Sequence, residues 1–372
     1  RWPDAPEEPG MLIGATLGRY FAWRFVRTIL GVFLTVFALV YTLDFVELLR
    51  RAGDSESAST GLMAQLALYR TPAVAESVLP FAVLFGSMAA LLQLSRKLEL
   101  VVARAAGISA WQFLQPGAFV ALAIGALAIG AYNPLSAALK QRSSEIEAKI
   151  FAKSTKAGTG KDLWLRQRSV DGQAIIRAET AVEGTTTLAG VTVFQFDDAG
   201  VFTAQIEAAR ATLHDGWWEL RDVRVLTRDE PPESHEVYLV ASTLDPSQIR
   251  QRFTPPESVP FWQLPETIAR HERAGLDATR YRLQYDVLLA TPLLYLAMVL
   301  VAATVSLRFF RFGGVGKLVL GGVSAGFVLY VARQVMEGLG ASGMVAPTVA
   351  AWFPAVVGSL LGTLTLLYQE DG

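Results

Sequence analysis

The stretch SRKLELVVARAAGIS, Ser95–Ser109, interrupts a long run of apolar sequence. Before it, Leu62–Leu94 carries only Arg70 and Glu76 as charged residues, and after it Phe113–Tyr132 carries none. Within it lie Arg96, Lys97, Glu99 and Arg104. Leu98, Val101, Val102 and Ala105 recur at i, i+3, i+4 and i+7, the spacing of one apolar stripe on a helix. The segment is too short and too polar to cross a bilayer, which needs about 20 mostly apolar residues. It predicts an amphipathic helix over about 95–109, lying at a membrane face and ending near Gly107. Lipid headgroups would accept such a helix for its basic residues. Glu99 argues for a protein partner instead: an acid gains nothing against anionic lipid, but gains complementarity and register in a basic groove.

Around this segment six apolar runs meet the length requirement: Val26–Leu49, Leu62–Leu94, Phe113–Tyr132, Val287–Leu307, Leu318–Val335 and Ala346–Leu367. The second is too long for one perpendicular crossing and holds Pro72 and Pro80, which predict a short interfacial piece followed by a bent span. Basic clusters set the orientation. Arg19, Arg24 and Arg27 precede the first run, Arg96, Lys97 and Arg104 follow the second, and Arg308, Arg311 and Lys317 follow the fourth. All three fall on one side of six crossings, which puts both termini in the cytoplasm and Asn133–Asp286 outside. That outside region is expected to be β. VTVFQFDDAG (191–200) and VFTAQIEAARATLHDGWWELRDVRVLTRD (201–229) alternate apolar and polar residues, with turn signals at Asp198-Ala199-Gly200 and Asp215-Gly216. Strands so spaced, without intervening helices, suggest an antiparallel sandwich or jelly roll. The expected fold is therefore a membrane α-helical protein of six transmembrane helices with an inserted all-β, jellyroll-like periplasmic domain. Its expected parts are an upstream extension without fold role (1–10), helices 1–3 with the amphipathic segment (11–132), the β domain with helical flanks (133–280) and helices 4–6 (281–372).

Composition narrows the chemistry. Of 372 residues 52% are hydrophobic, the formal net charge is −1 and there is no cysteine. Bulk basicity for nucleic acid is lacking, and thiol catalysis, disulfides and cysteine-held metals are excluded. The histidines, His214, His235 and His271, are scattered and suggest no metal site. GGVGK (313–317) and KAGTGKD (156–162) lack the glycine six residues before the lysine and the following Ser or Thr of a phosphate loop. GVSAG (322–326) matches a hydrolase nucleophile elbow in letters. It lies inside an apolar run, however, and is better read as the small-residue pattern of close helix packing. Glu76 and Arg333, at or within spans, are the candidates a proton-coupled transporter would use. That alternative, an ion-gradient-driven secondary lipid transporter, also wants an internal repeat, and none is visible.

LELVVARAAGIS resembles the coupling-helix signature of the LptF/LptG permeases, the lipopolysaccharide-export branch of the ABC transporters. FVELLRRAG (45–53), DLWLR (162–166), AGLDATRYRLQ (274–284) and GVSAGFVLYVARQ (322–334) resemble further stretches of that family in the right order, covering essentially Met11–Leu367. The pattern is nearer the LptG branch, the LptF-type subunit being the alternative. The resemblance implies a permease subunit, not an enzyme, in the bacterial inner membrane. It would pair with LptF, dock a dimer of the ATPase LptB, which uses the ATP and Mg, meet LptC at the membrane and reach LptA through the periplasmic bridge. No cofactor is implied for this chain. Leu98, Glu99, Val101, Val102, Arg104 and Gly107 fall on the ATPase-coupling segment. Arg50 and Arg51 match basic residues that hold lipopolysaccharide phosphates, and arginine suits phosphate through its planar donors. Asp44 departs from the lysine often found a turn or two earlier. Lys140 and Arg142 are further lipid candidates by position, and Phe327 and Tyr330 are candidates for acyl-chain contact.

Overall fold

A computed structural model of the chain describes residues 15–52, 59–105, 107–151, 163–169, 172–181, 186–197, 201–227, 231–244, 255–273, 277–312 and 315–371. The upstream extension (1–10), KAGTGKD and the turn residues 198–200 lie outside them. The helices are α1 (Ala15–Ala52), α2 (Thr60–Arg96), α3 (Glu99–Ala105), α4 (Ala110–Leu127), α5 (Asn133–Phe151), α6 (Leu264–Arg273), α7 (Thr279–Phe312), α8 (Val315–Ala341) and α9 (Pro347–Asp371). A π-helical turn, Ala128–Tyr132, joins α4 to α5 without a break. Between α5 and α6 run β1 (Leu163–Ser169), β2 (Gly172–Ala181), β3 (Thr187–Phe196), β4 (Phe202–His214), β5 (Trp217–Thr227) and β6 (Glu233–Ala241).

Two compact units result. The first comprises α1 as far as Leu43, Thr71–Ala137 and the chain from Pro260 onward. Its core takes Phe21, Phe25 and Ile29 from α1 at four-residue spacing, Val83, Leu84, Leu91 and Leu94 from α2, Phe113 from α4, and Tyr295, Met298 and Val299 from α7. Glycines let helix backbones approach. A Cβ on Gly86 would meet the Ile29 Cα at 2.4 Å, and one on Gly125 the Pro292 Cα at 2.5 Å. Gly322 and Gly326 press α8 onto Met88 and Leu84 of α2, so the small-residue reading of GVSAG holds. Among the described residues five helical stretches are long and apolar enough to cross a membrane: Thr16–Arg51, Thr60–Arg96, Trp111–Glu147, Thr279–Ser306 and Pro347–Tyr368. The expected run Leu318–Val335 lies within α8, a continuous helix, but α8 is not one of the five. The second span is one continuous helix of 37 residues, α2, with Pro72 and Pro80 inside it.

Asp277 caps the start of α7, its Oδ1 accepting from the Thr279 N–H at 2.9 Å. Hydrogen bonds from the Thr279 side chain and backbone hold the Asp277 carboxyl below the usual carboxylate value. A lowered value means that the cap is intact above the unfolded-state range and is lost as pH falls through the folded one. The protection factor of the Thr279 amide, the observed exchange corrected for its intrinsic pH dependence, should therefore fall on acidification. Asp277→Ala should lower it at neutral pH by about fivefold, as expected for a cap of about 1 kcal/mol.

The second unit comprises Asp44–Arg70 and Ala138–Val259. Its strands pair in sequence order, each antiparallel to the next, from β1 to β6. Alternation carries the fold: Ala204, Ile206, Ala208, Ala211 and Leu213 of β4 are buried while most residues between them are not. The expected turn at Asp215-Gly216 joins β4 to β5, where Gly216 supplies a φ of +88° that a side chain would resist. The all-β expectation is met, in the strand order of a meander; the order by itself does not make a jelly roll. The two edge strands are bridged by a side chain. Gln167 of β1 donates through Nε2 to the Ala241 carbonyl of β6 at 3.1 Å, and its Oε1 accepts from Ser242 Oγ at 2.7 Å and Trp218 Nε1 at 3.3 Å. Gln167→Leu would leave these buried groups without their partner, a loss of about 2–3 kcal/mol. A thermal melt of the purified chain, followed by protease sensitivity of the β domain, checks it.

Candidate docking segment and basic sites

Ser95–Ser109 is not one helix. α2 runs on to Arg96, and Leu98 then turns the chain with a φ of 60°. A non-glycine residue in that region costs on the order of 1 kcal/mol, so the turn is held by its surroundings. α3 follows for seven residues, Gly107 turns again at φ +85°, and Ser109 caps α4. The cap is reciprocal: Ser109 Oγ accepts from the Gln112 N–H, and Gln112 Oε1 accepts from the Ser109 N–H. The expected stripe nonetheless keeps Leu98, Val102 and Ala105 together as exposed residues. Leu100, outside the expected stripe, is buried, at 6% exposure, within the core cluster that also holds Phe21 and Phe113. Leu98 and Val102 stand 59% and 67% exposed. The side chains of Val101 and Arg104 lie outside the described residues.

Glu99 is turned toward α1. Its Oε1 accepts from Arg24 Nη2 at 3.2 Å and from Tyr20 Oη at 3.2 Å. Arg24 also donates to Tyr20 Oη at 2.6 Å and to Gln93 Oε1 at 3.4 Å, and lies over the Tyr20 ring. Tyr20 and Gln93 had no role in the sequence reading, and Arg24 served there only for orientation. Arg24 and Tyr20 lie 75 and 79 residues from Glu99, which leaves no local signal of this cluster.

The basic candidates are partly engaged. Arg50 and Arg51, both exposed near the end of α1, share Glu47: Arg50 Nη2 lies 2.8 Å from Oε2 and Arg51 Nε 2.8 Å from Oε1. The three side chains carry a net charge of +1 and keep guanidinium donors to spare. Asp44, the departure from the family pattern, is answered from α2. Arg70 reaches Asp44 Oδ1 at 3.5 Å and Glu147 Oε1 of α5 at 2.9 Å. Lys140 pairs with Glu257 at 3.2 Å, whereas Arg142 is exposed. In the other unit Phe327 is 60% exposed, and Tyr330 packs its ring 5.3 Å from that of Phe81. The two ionisable residues of the proton-relay alternative are bonded within the same unit. Glu76 accepts from Asn133 Nδ2 at 2.9 Å, and Arg333 pairs with Glu337 at 2.5 Å. Among the described residues no group of three or more His, Cys, Asp or Glu is placed to hold a metal.

Long apolar helices, an antiparallel sheet inserted between them and an exposed apolar segment at a helix joint define a multi-pass membrane protein with a large polar insert. The chain belongs to the LptF/LptG family, described as the lipopolysaccharide export system permease, whose pattern it matches over residues 19–368. Membership makes it a multi-pass inner-membrane permease subunit rather than itself an enzyme. Among curated relatives, the lipopolysaccharide export system permease protein LptG of Escherichia coli K12 is 24% identical over 351 residues, 93% of this chain and 94% of that protein. The LptG of Haemophilus influenzae is 22% identical over 367 residues, 95% and 96% of the two chains.

Proposed function

We propose that this chain is the LptG-type subunit of an exporter that lifts lipopolysaccharide out of the inner membrane, driven by ATP hydrolysis in a separate subunit. The observation that carries the reading is the docking segment: Leu98 and Val102 are exposed on a turn and short helix that Leu100 and Glu99 fasten to the helical core. Exposed apolar side chains on a fixed, polar-rimmed segment fit a partner's groove. In this reading α8 is the sixth crossing, both termini and Ser95–Ser109 face the cytoplasm, and the β domain lies in the periplasm. LptF completes the permease pair, and a dimer of LptB, holding ATP and Mg, receives Leu98, Val102, Val101 and Arg104, with Gly107 setting the turn after α3 and Glu99 setting the register. LptC joins at the membrane and LptA continues the bridge.

Arg50 and Arg51, with donors left over from Glu47, hold lipid phosphates. Arg142, and Lys140 on release from Glu257, extend the basic track. Phe327 and Tyr330 meet acyl chains. The Gln167 bridge between edge strands gives the sheet the curl of a jelly roll around an apolar interior. When the ATPase dimer closes, it pulls the docking segment and narrows the cavity shared with LptF.

Co-expression with LptF and LptB followed by purification tests the assembly: the three should purify as one complex. Within it, Arg50→Gln with Arg51→Gln should lower photocrosslinking of lipopolysaccharide by about tenfold, the loss of two charge-assisted contacts. Unchanged crosslinking would remove the pair from the lipid site. Failure of LptB to purify with the chain would remove the permease reading.

A further inference from the structure

Glu99 sits where the docking segment meets the rest of the protein, yet its carboxylate faces inward. Oε1 accepts from both Arg24 and Tyr20, while Oε2 is shielded from solvent without a donor among the described residues. Among the described residues, the acid's side-chain contacts are with the first helix. Arg24 is itself only 15% exposed and joins three helices: it is rooted in α1, it touches Gln93 near the end of α2, and it holds Glu99 at the start of α3. An ion pair shielded to this degree is screened less than a surface pair and constrains geometry more. Among the described side chains of α3, Leu100 is the other one placed in the core, through an apolar contact without the directionality of the ion pair.

We propose that Arg24, oriented by Tyr20, is the positioning residue through which movement of the docking segment reaches the first membrane helix. Glu99 is the handle and Arg24 the point of attachment. The inference rests on the permease reading above and deepens it. Load applied at the docking segment passes through the Glu99–Arg24 pair into α1, whose burial in the core at Phe21, Phe25 and Ile29 carries it on to the bundle. Cutting the pair leaves the docking surface of Leu98 and Val102 in place and uncouples hydrolysis from transport.

The test is made on the assembled complex in proteoliposomes, measuring co-purified ATPase subunit, ATP hydrolysed and lipopolysaccharide extracted. Arg24→Gln is expected to keep the ATPase subunit bound and to lower lipid extracted per ATP by about fivefold or more, the scale of coupling between linked sites. Arg24→Lys, which keeps a cation in reach, should retain at least about half of the wild-type ratio on the same scale. A double-mutant cycle closes the case: Arg24→Gln with Glu99→Gln should be no worse than the poorer single variant, as for two groups acting as one unit. Wild-type extraction per ATP in Arg24→Gln, or multiplication of the two single effects in the double variant, overturns the proposal and leaves the permease reading standing. Loss of assembly in both Arg24→Gln and Arg24→Lys also overturns it, because the residue then serves folding alone. A wild-type complex that extracts no lipid with ATP overturns both.

Discussion

Val102→Asp combined with Glu99→Lys is expected to strip the ATPase subunit from the purified complex and abolish ATP-dependent lipid release. Val102 is the most exposed apolar residue described on the segment, at 67%. If it fills an apolar groove on the partner, an aspartate there brings an unpaired charge into the interface. That costs several kcal/mol, and every 1.4 kcal/mol is tenfold in affinity. Glu99→Lys adds repulsion of Arg24 from within. The pair of changes is thus expected to weaken assembly by about a thousandfold, beyond recovery on a column. The bundle should survive, because Val102 is exposed and Leu100, the buried anchor, is untouched; the strain from Glu99→Lys falls on the joint between α2 and α3. Quantitative co-purification, with a thermal melt as the folding control, checks both halves.

Gly125→Leu should have the second large effect, this time on the fold. A Cβ at Gly125 meets the Pro292 Cα at 2.5 Å, the Pro292 Cβ at 2.9 Å and the Pro292 nitrogen at 3.0 Å. These are backbone and ring atoms that cannot rotate away, so α4 and α7 must separate. Overpacking a tight site costs about 1–3 kcal/mol where side chains can adjust, and here the adjustment is a helix displacement. The expected result is little or no folded chain after detergent extraction. Gly31→Leu is the control, since nothing lies within 4 Å of its Cβ position, and its melting temperature should stay within a few degrees of wild type. Fluorescence-detected size exclusion after a heat step separates the two.

The parts that one sequence discloses are those written in short-range periodicity. Apolar runs of bilayer length located the helices, and strict alternation together with Asp215-Gly216 located the sheet and one of its turns. Ser95–Ser109 shows where this logic stops. Its stripe residues Leu98, Val102 and Ala105 are exposed together, but Leu98 at φ 60° breaks the helix read on paper, and Leu100, outside the stripe, goes into the core. No propensity argument finds a leucine in the left-handed region, because tertiary contacts hold it there. The apolar run Leu318–Val335 marks the middle of α8 but not its ends, because the helix continues past Arg333 and Gln334 to Ala341.

Candidate sites were legible as residue types and not as partnerships. Arg50 and Arg51 stand out for their charge at a span end, yet their shared Glu47 changes how much of that charge is available. Asp44 looked like a lost contact until Arg70 came from another helix to meet it. Glu99 stood out as an acid in a basic amphipathic segment, whereas the partnership with Arg24 and Tyr20 did not, since a pair about 75 residues apart leaves no trace in one chain. Gln167 is the same lesson in the β domain: a polar residue on an alternating strand looks like surface, and it is 4% exposed because it ties the two sheet edges together.

The most direct test of the central claim, that a separate nucleotide-burning subunit drives lipid out through this chain, is a transfer assay. Proteoliposomes holding the chain with LptF, LptB and LptC are loaded with lipopolysaccharide, and its arrival on added LptA is followed over time. Transfer is expected with ATP and Mg, and is expected to vanish with a non-hydrolysable analogue or with LptB lacking its phosphate-loop lysine. Equal transfer without hydrolysis, or transfer that follows an imposed ion gradient instead, would contradict the claim.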